Sequence, residues 1–135
     1  MTDKELLNLA KGARDNSYCP YSSVAVGAAL VTESGKIYLG TNIENASYSP
    51  TVCAERVAFF KAISEGERSF KAIAVVGGRK KGDTAPLFSP CGVCRQVMAE
   101  FCDSDFQIIL EDEHAQAKKY TLASLLPLGF DGSKL

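Results

Sequence analysis

The sequence has almost no excess of charge of either sign. Its 15 lysines and arginines face 16 aspartates and glutamates, which gives a formal net charge of −1. Proteins that bind nucleic acid or anionic membranes depend on a basic excess clustered on one face, so this balance argues against both partners. The basic cluster Arg79-Lys80-Lys81 is predicted to be part of a solvated loop. Small neutral ligands are therefore favoured.

Long apolar runs are missing as well. The first seven residues mix charges and lack the apolar stretch of roughly 7 to 15 residues that a signal peptide needs. No segment approaches the ~18 to 20 apolar residues of a membrane span. We therefore expect a cytoplasmic protein with no membrane partner.

The sequence contains no repeat, no low-complexity tract and no linker that would divide it. With 135 residues, 46% of them hydrophobic, it is long enough to build a core without disulfide bonds. Disordered and fibrous classes are excluded, and we expect a single domain over residues 1–135.

Hydrophobic periodicity predicts the element order αββαβαββα. Ser49-Pro50 and Ser89-Pro90 are each predicted to supply a helix N-cap and a first-turn proline. Crossover helices between some strands imply a mixed sheet with helices on both faces. The predicted helices cover residues 3–15, 49–66, 89–101 and 122–126, and the strands cover 24–31, 36–43, 71–76 (ending at Gly77-Gly78), 106–110 and 119–121.

Three of the five cysteines are predicted to lie at the starts of two helices. Cys53 follows Ser49-Pro50, while Cys91 and Cys94 lie at i and i+3 after Ser89-Pro90, on one helix face. The positive end of a helix dipole lowers a thiol pKa, and thiolates are the form that binds metal. Three protein ligands with a fourth position open to water are typical of catalytic zinc.

The remaining candidate ligands fit less well. Cys102 lies about 12 Å along the helix from Cys94 and is predicted to be a core thiol. His114, the sole histidine, lies in an acidic turn and is predicted to be solvated. Cys19 stays open as a fourth ligand. The sequence thus favours an all-cysteine site.

Glu55 lies two residues after Cys53, where a group that moves protons is needed. A solvated first-turn glutamate is the alternative. Cys53-Ala54-Glu55 together with Pro90-Cys91-Gly92-Val93-Cys94 matches the zinc deaminase signature, in which the glutamate is not a ligand.

Several blocks in order resemble the short, homotetrameric cytidine deaminases of nucleoside salvage. The likeness runs from about residue 18 to residue 130. It implies an α/β fold, a cytidine deaminase-like three-layer α/β/α sandwich with a five-stranded mixed sheet. The blocks are Tyr21-Ser22, Val26-Gly27-Ala28-Ala29, Asn42-Ile43-Glu44-Asn45-Ala46-Ser47-Tyr48, Cys53-Ala54-Glu55-Arg56 and Pro90-Cys91-Gly92-Val93-Cys94-Arg95-Gln96.

The resemblance implies hydrolytic deamination of cytidine and deoxycytidine to uridine and deoxyuridine, with release of ammonia. One Zn²⁺ per subunit would be held by Cys53, Cys91 and Cys94, and a zinc-bound hydroxide would attack C4 while Glu55 moves the protons. The implied partners are the nucleoside, water and three further copies of the chain.

The resemblance also assigns substrate contacts. Asn42 and Glu44 would bind the ribose 3′-hydroxyl. The alternative is that they are simply polar residues at a strand end and turn. Val24 occupies a position where the family usually has phenylalanine packed on the pyrimidine, so this contact is smaller here. The other implied contacts are Ala54 and three residues that would reach or complete a neighbouring subunit's site, Ala46, Tyr48 and Phe130. Local packing is the alternative for the two aromatic residues.

Three thiolates over-neutralise Zn²⁺ and leave a net charge of −1. Arg56, three residues after Cys53, is the candidate to offset it, since the matching arginine in all-cysteine family members hydrogen-bonds the ligand sulfurs. A surface ion pair is the alternative.

Two other functions remain open. One is a related zinc deaminase that acts on an aminopyrimidine nucleoside such as blasticidin S, or on a nucleic acid. The other is a non-catalytic zinc-stapled binding domain, which requires a fourth ligand such as Cys19 and has no use for Glu55.

Overall fold

The computed structural model describes Met1–Leu135, and its elements follow the predicted order. None of the helices has the length and apolar character that crossing a bilayer demands. Short 3₁₀ turns follow the first helix and close the chain, at Arg14–Asn16 and Gly132–Lys134. The helices and strands are α1 (Asp3–Ala13), β1 (Val24–Thr32), β2 (Ile37–Thr41), α2 (Ala54–Ser64), β3 (Phe70–Arg79), α3 (Gly92–Phe101), β4 (Gln107–Glu111), β5 (Ala117–Thr121) and α4 (Leu122–Leu125).

The strands form one sheet in the order β2-β1-β3-β4-β5. β1 is antiparallel to both β2 and β3, β4 is antiparallel to β5, and only β3 and β4 are parallel. A parallel pair requires a crossover connection, and here α3 supplies it. The predicted mixed sheet is confirmed.

Helices cover both faces of this sheet. On one face, Leu7 and Ala10 of α1 pack with Ala29 and Ile109. On the other face, α2 and α3 pack on the neighbouring strand positions, with Phe59 and Met98 among the fully buried side chains. Because the central strands are buried on both sides, they read as continuous apolar runs. The predicted three-layer α/β/α arrangement is confirmed.

α2 packs unusually close to the sheet at Gly40 of β2. A Cβ atom on Gly40 would lie 2.1 Å from the carbonyl oxygen of Ala54 and 2.7 Å from the nitrogen of Ala58. The helix backbone therefore rests directly on the strand, which fixes the position of its first turn.

The predicted starts of α2 and α3 are wrong. The N-caps are Cys53 and Cys91, not Ser49 and Ser89, and neither cysteine side chain makes a capping hydrogen bond. Ahead of α2, residues 46–50 form turns, and Ile43 and Val52 on either side exchange two main-chain hydrogen bonds of 3.0 Å. This stretch therefore lies outside the helix. The cysteine sulfurs are thereby left free for other contacts.

β3 does not end at Gly77-Gly78 as predicted. Both glycines pair with β1, opposite Val26 and Ala25, and the strand continues to Arg79. A Cβ on Gly77 would lie 2.4 Å from the ring of Phe88. These glycines make room for the loop that leads to α3 rather than breaking the strand.

Candidate metal centre

The structure brings three thiols together between the starts of α2 and α3. Cys53 and Cys91 are the two N-cap residues, and Cys94 lies in the first turn of α3. Their Sγ atoms all lie within 4.8 Å of one another, and those of Cys53 and Cys91 are 3.7 Å apart. All five cysteines are unbridged. Such a cluster fits one metal ion bound by three sulfurs.

The thiol cluster favours ionisation at Cys53. A hydrogen bond from the Cys94 thiol lowers the pKa of Cys53 to about 5 against the opposing effect of burial, with Arg56 and Cys91 assisting. The pKa of Cys94 is raised in turn, because its proton is held by Cys53 and because it is buried. The site therefore carries a thiolate, the form that ligates metal.

The donor set suits zinc. Soft thiolates in a three-ligand arrangement select Zn²⁺ over the hard cations that prefer oxygen, and no carboxylate or imidazole belongs to this cluster. Cys19 is buried and lies outside the cluster. Burial, with the charge of Asp103, raises the pKa of the Cys102 thiol to about 12. His114 lies in the exposed turn after β4.

Glu55 lies in the first turn of α2, with only 3% of its surface exposed. Burial is the main cause that raises its pKa to about 7, and the charge on Cys53 adds to the effect, whereas a hydrogen bond with Cys94 opposes it. A solvated first-turn glutamate does not describe this residue. A buried carboxyl beside three thiols is suited to exchanging protons near neutral pH.

Arg56 faces the thiols rather than a surface carboxylate. Its Nη2 donates to Cys53 Sγ at 3.4 Å, and its buried Nε has no hydrogen-bond partner. The four ion pairs of the protein do not include it. Its positive charge thus lies against the cluster of sulfurs.

Asn42 is held by the main chain of β1. Its Oδ1 accepts hydrogen bonds from Ser17 Oγ and from Val26 N, and its Nδ2 donates to the carbonyl of Val24 at 2.8 Å. Both acceptor positions of the amide oxygen are used, so one N–H remains to contact a ligand.

Glu44 is held by the turn before β1. Its carboxylate accepts from the backbone nitrogens of Tyr21 and Ser22, at 2.9 and 3.1 Å, and from the Ser22 hydroxyl. The Ser22 hydroxyl is the main cause that lowers the pKa of Glu44; burial opposes it, and the two backbone hydrogen bonds lower the pKa further. Glu44 is therefore an ionised acceptor at neutral pH.

The other predicted contacts are less complete in a single chain. Ala54 is fully buried at the start of α2, and Val24 packs against the edge of the same core. Ala46 is exposed, while Tyr48 and Phe130 are 70% and 56% exposed. Tyr48 meets Tyr21 edge to face, and with Glu44 they line a cavity of about 320 Å³.

Sequence reasoning missed the residues that hold these groups in place. Ser17 carries no motif of its own, and its contact with Asn42 spans 25 residues of sequence. Arg95 and Gln96 belong to a block that carries the resemblance, but only the structure shows that their side chains bond the chain's last segment.

Comparison with known families decides the assignment. Residues 1–110 match the family model described as the cytidine and deoxycytidylate deaminase zinc-binding region. The chain belongs to this zinc deaminase family.

Relatives in this family cover nearly the whole chain. A cytidine deaminase from Sporosarcina psychrophila is 50% identical over all of this chain and 96% of its own length. The crystal structure of cytidine deaminase from Burkholderia pseudomallei matches with a TM-score of 0.87 at 44% identity, over 96% of this chain and 100% of that one. A blasticidin-S deaminase from Bacillus cereus is more distant, at 32% identity over 78% of this chain and 76% of its own.

Proposed function

We propose that the protein is a zinc-dependent cytidine deaminase, which hydrolyses cytidine and deoxycytidine to uridine and deoxyuridine and releases ammonia. The observation that carries this proposal is the buried carboxyl of Glu55 beside three converging thiols. Full-length relatives that are named cytidine deaminases support it.

Cys53, Cys91 and Cys94 hold the metal in this proposal. Bound there, zinc would supply the nucleophile for attack at C4 of the cytosine ring by lowering the pKa of a water molecule. Three thiolates would leave the ion with a net charge of −1 before that water ionises, and the guanidinium of Arg56 offsets this charge.

Glu55 moves the protons. Its carboxylate accepts one proton from the attacking water and delivers it to N3 of the ring. It then accepts the second proton, from the hydroxyl now on C4, and passes it to the departing amino group, so that the carboxylate is restored. Its burial keeps bulk water away from the carboxyl and favours a protonation state that changes near neutral pH. Glu55 itself lies outside the set of possible metal ligands, which contains only the three cysteines.

Asn42 and Glu44 select the sugar. The remaining N–H of the Asn42 amide donates and the Glu44 carboxylate accepts, so the pair suits a hydroxyl group that does both, as the ribose 3′-hydroxyl does. The negative charge of Glu44 repels a phosphate group and so favours a free nucleoside over a nucleotide. Val24 offers the ring a smaller apolar contact than phenylalanine would.

A homotetramer is part of the proposal. Tyr48, Leu128 and Phe130 are largely exposed in the single chain, with Leu128 fully so. Contact with neighbouring subunits would cover these apolar side chains. Ala46 and these aromatic residues then complete the site of a neighbouring subunit. Five unbridged cysteines are in keeping with a cytoplasmic enzyme of pyrimidine salvage.

The alternatives are less well supported. A non-catalytic zinc-stapled domain needs a fourth protein ligand, and Cys19 lies outside the cluster. A substrate such as blasticidin S has the support of the distant relative alone.

The test is uridine formation from cytidine by purified protein whose zinc content has been measured, with Glu55→Gln as the comparison. We expect uridine from the parent and at least a thousandfold less from the variant at equal zinc content, because the proton transfers and the orientation of water are lost together. Blasticidin S and cytidine monophosphate serve as competing substrates. A zinc-loaded parent that leaves cytidine unchanged would overturn the proposal.

A further inference from the structure

Arg95 bridges two parts of the chain that are distant in sequence. Its Nε donates to the carbonyl of Pro90 at 2.7 Å, and its Nη2 lies 3.2 Å from the hydroxyl of Ser89. Its Nη1 donates to the carbonyl of Leu125 at 2.6 Å. The guanidinium is half-buried and forms no ion pair. The N–H groups of the guanidinium therefore bind main-chain carbonyls rather than a carboxylate.

The next residue makes a second bridge to the same region. Gln96 Nε2 donates to the carbonyl of Phe130 at 2.8 Å. Residues 125–130, called the C-terminal segment below, are thus held at both ends by consecutive residues of α3. Cys91 is the N-cap of the same helix, and Cys94 lies in its first turn.

Beyond Leu125 and Leu126, which pack against the core, the segment has few other attachments. The main chain of residues 127–130 makes no hydrogen bond to other main-chain groups. Leu128 has a positive φ of 55° and a fully exposed side chain. A non-glycine residue in this conformation persists where its surroundings impose it, and the two side-chain bonds from α3 are the polar contacts that do so.

We propose that Arg95 and Gln96 are positioning residues that couple the metal centre to the C-terminal segment. Arg95 fixes the Pro90 carbonyl, and with it the backbone that presents the Cys91 sulfur, while it also holds the start of the segment. Gln96 fixes the other end, at Phe130. An effect of Phe130 on substrate binding depends on the proposed function. The link between the metal ligands and the C-terminal segment does not.

The two residues are expected to fail in different ways. Losing Arg95 loosens both the backbone at Pro90, next to the metal ligand Cys91, and the C-terminal segment. Losing Gln96 loosens only the part of the C-terminal segment near Phe130. Partners that orient metal ligands change metal affinity by 10–100-fold when they are removed. A single hydrogen bond has a smaller effect, roughly fivefold on an equilibrium.

The experiment compares zinc-loaded Arg95→Ala, Arg95→Lys and Gln96→Ala with the parent. Zinc release to a chromogenic chelator and hydrogen exchange of the C-terminal peptide are measured, followed by kcat and KM for cytidine. Both Arg95 variants should release zinc about 10–100-fold faster and exchange faster at residues 125–130. Gln96→Ala should release zinc at the parental rate, exchange faster in the segment and raise KM about fivefold at unchanged kcat.

Arg68→Ala is the matched control. Arg68 also donates to two main-chain carbonyls, those of Ile63 and Glu67 at 2.8 Å, but it does so beyond the end of α2, away from the thiols. Its loss should leave zinc release and C-terminal exchange unchanged. If Arg95→Ala does not fold, Arg95→Lys tests the same contacts, because lysine keeps the charge and loses the planar fork.

Parental zinc release and parental C-terminal exchange in the Arg95→Lys variant would overturn the coupling. Faster hydrogen exchange throughout the protein in the Arg95 variants would assign Arg95 a general structural role. That result would also overturn the proposed coupling. Since neither readout needs a substrate, an enzyme that fails to deaminate cytidine but shows the coupling would refute the proposed function alone.

Discussion

At the scale of single residues, the thiol cluster depends on a positive charge placed beside it. Arg56 reaches Cys53 Sγ at 3.4 Å and is partly buried, so water screens its charge less than it would on an open surface. Three thiolates without a cation beside them repel one another and hold the metal with excess negative charge. The sequence position of Arg56, three residues after Cys53, brings both side chains to the same side of the helix end.

Replacing Arg56 with alanine should weaken zinc retention. We expect zinc release to a chelator to become about 10–100-fold faster, because the positive charge and a sulfur contact are lost together. Arg56→Lys should lie between the parent and Arg56→Ala, since it keeps the charge without the guanidinium geometry. Parental release rates in both variants would remove Arg56 from any role in holding the metal.

At the scale of elements, the site exists because the first turns of two helices lie side by side. α2 carries Cys53 and Glu55 and is set on β2 through Gly40, whereas α3 carries Cys91 and Cys94. Any change in how α2 lies on the sheet therefore shifts one thiol relative to the other two. The contact of Gly40 with the first turn of α2 therefore links helix packing to metal affinity.

Gly40→Ala should separate the two helix ends. The added methyl would lie 2.1 Å from the Ala54 carbonyl, so α2 has to move. We expect a loss of roughly 1–3 kcal/mol in the free energy of unfolding, as in other overpacked cores, and a lower zinc content. Urea unfolding of the zinc-loaded protein and metal analysis measure both effects.

The control for this change is Gly12→Ala. Gly12 lies exposed on α1, and a Cβ there meets nothing within 4 Å. Alanine should stabilise the helix by about 0.5–1 kcal/mol without changing the zinc content. Equal unfolding free energies for Gly40→Ala and the parent would contradict the packing argument.

At the scale of the whole molecule, Glu111 joins three parts of the chain. Its carboxylate accepts from Lys11 Nζ on α1 at 2.7 Å and from the hydroxyl of Thr84 at 2.8 Å. Its main-chain carbonyl accepts from Leu87 N at 2.7 Å, in the loop that leads to α3. Burial would raise the pKa of Glu111, but the Lys11 and Thr84 contacts outweigh it and hold the pKa below its ordinary value of 4.5.

This lowered pKa makes stability depend on pH. A carboxyl group with a depressed pKa in the folded state contributes fully above its unfolded pKa and loses that contribution as the pH falls through the folded value. Glu111→Gln should therefore be less stable than the parent by about 1–2 kcal/mol at pH 7, with the difference shrinking below about pH 4.5. Urea unfolding at a series of pH values measures this.

Glu33→Gln, an exposed change of the same kind, should stay within about 0.5 kcal/mol of the parent at every pH. A constant difference between Glu111→Gln and the parent from neutral to acidic pH would show that the charge of Glu111 contributes nothing.

Much of this protein was already determined by its sequence. The continuous apolar runs of the central strands and the helical spacing between them predict the element order, the mixed sheet and the layers on both faces, because burial patterns are local properties of the chain. The spacing of Cys53, Cys91 and Cys94 likewise predicts a thiol site, since i and i+3 on a helix fix two ligands relative to each other.

Only the tertiary structure decided the finer placement. Ser49-Pro50 and Ser89-Pro90 have the residues of a helix start, but the pairing of Ile43 with Val52 and the contact of Arg95 with Pro90 hold those stretches outside the helices. The pairing of the β3 glycines with β1, the two hydrogen bonds to the Asn42 amide oxygen and the attachment of the C-terminal segment all depend on partners that are distant in sequence. Propensity is local, whereas these contacts form only when distant parts of the chain meet.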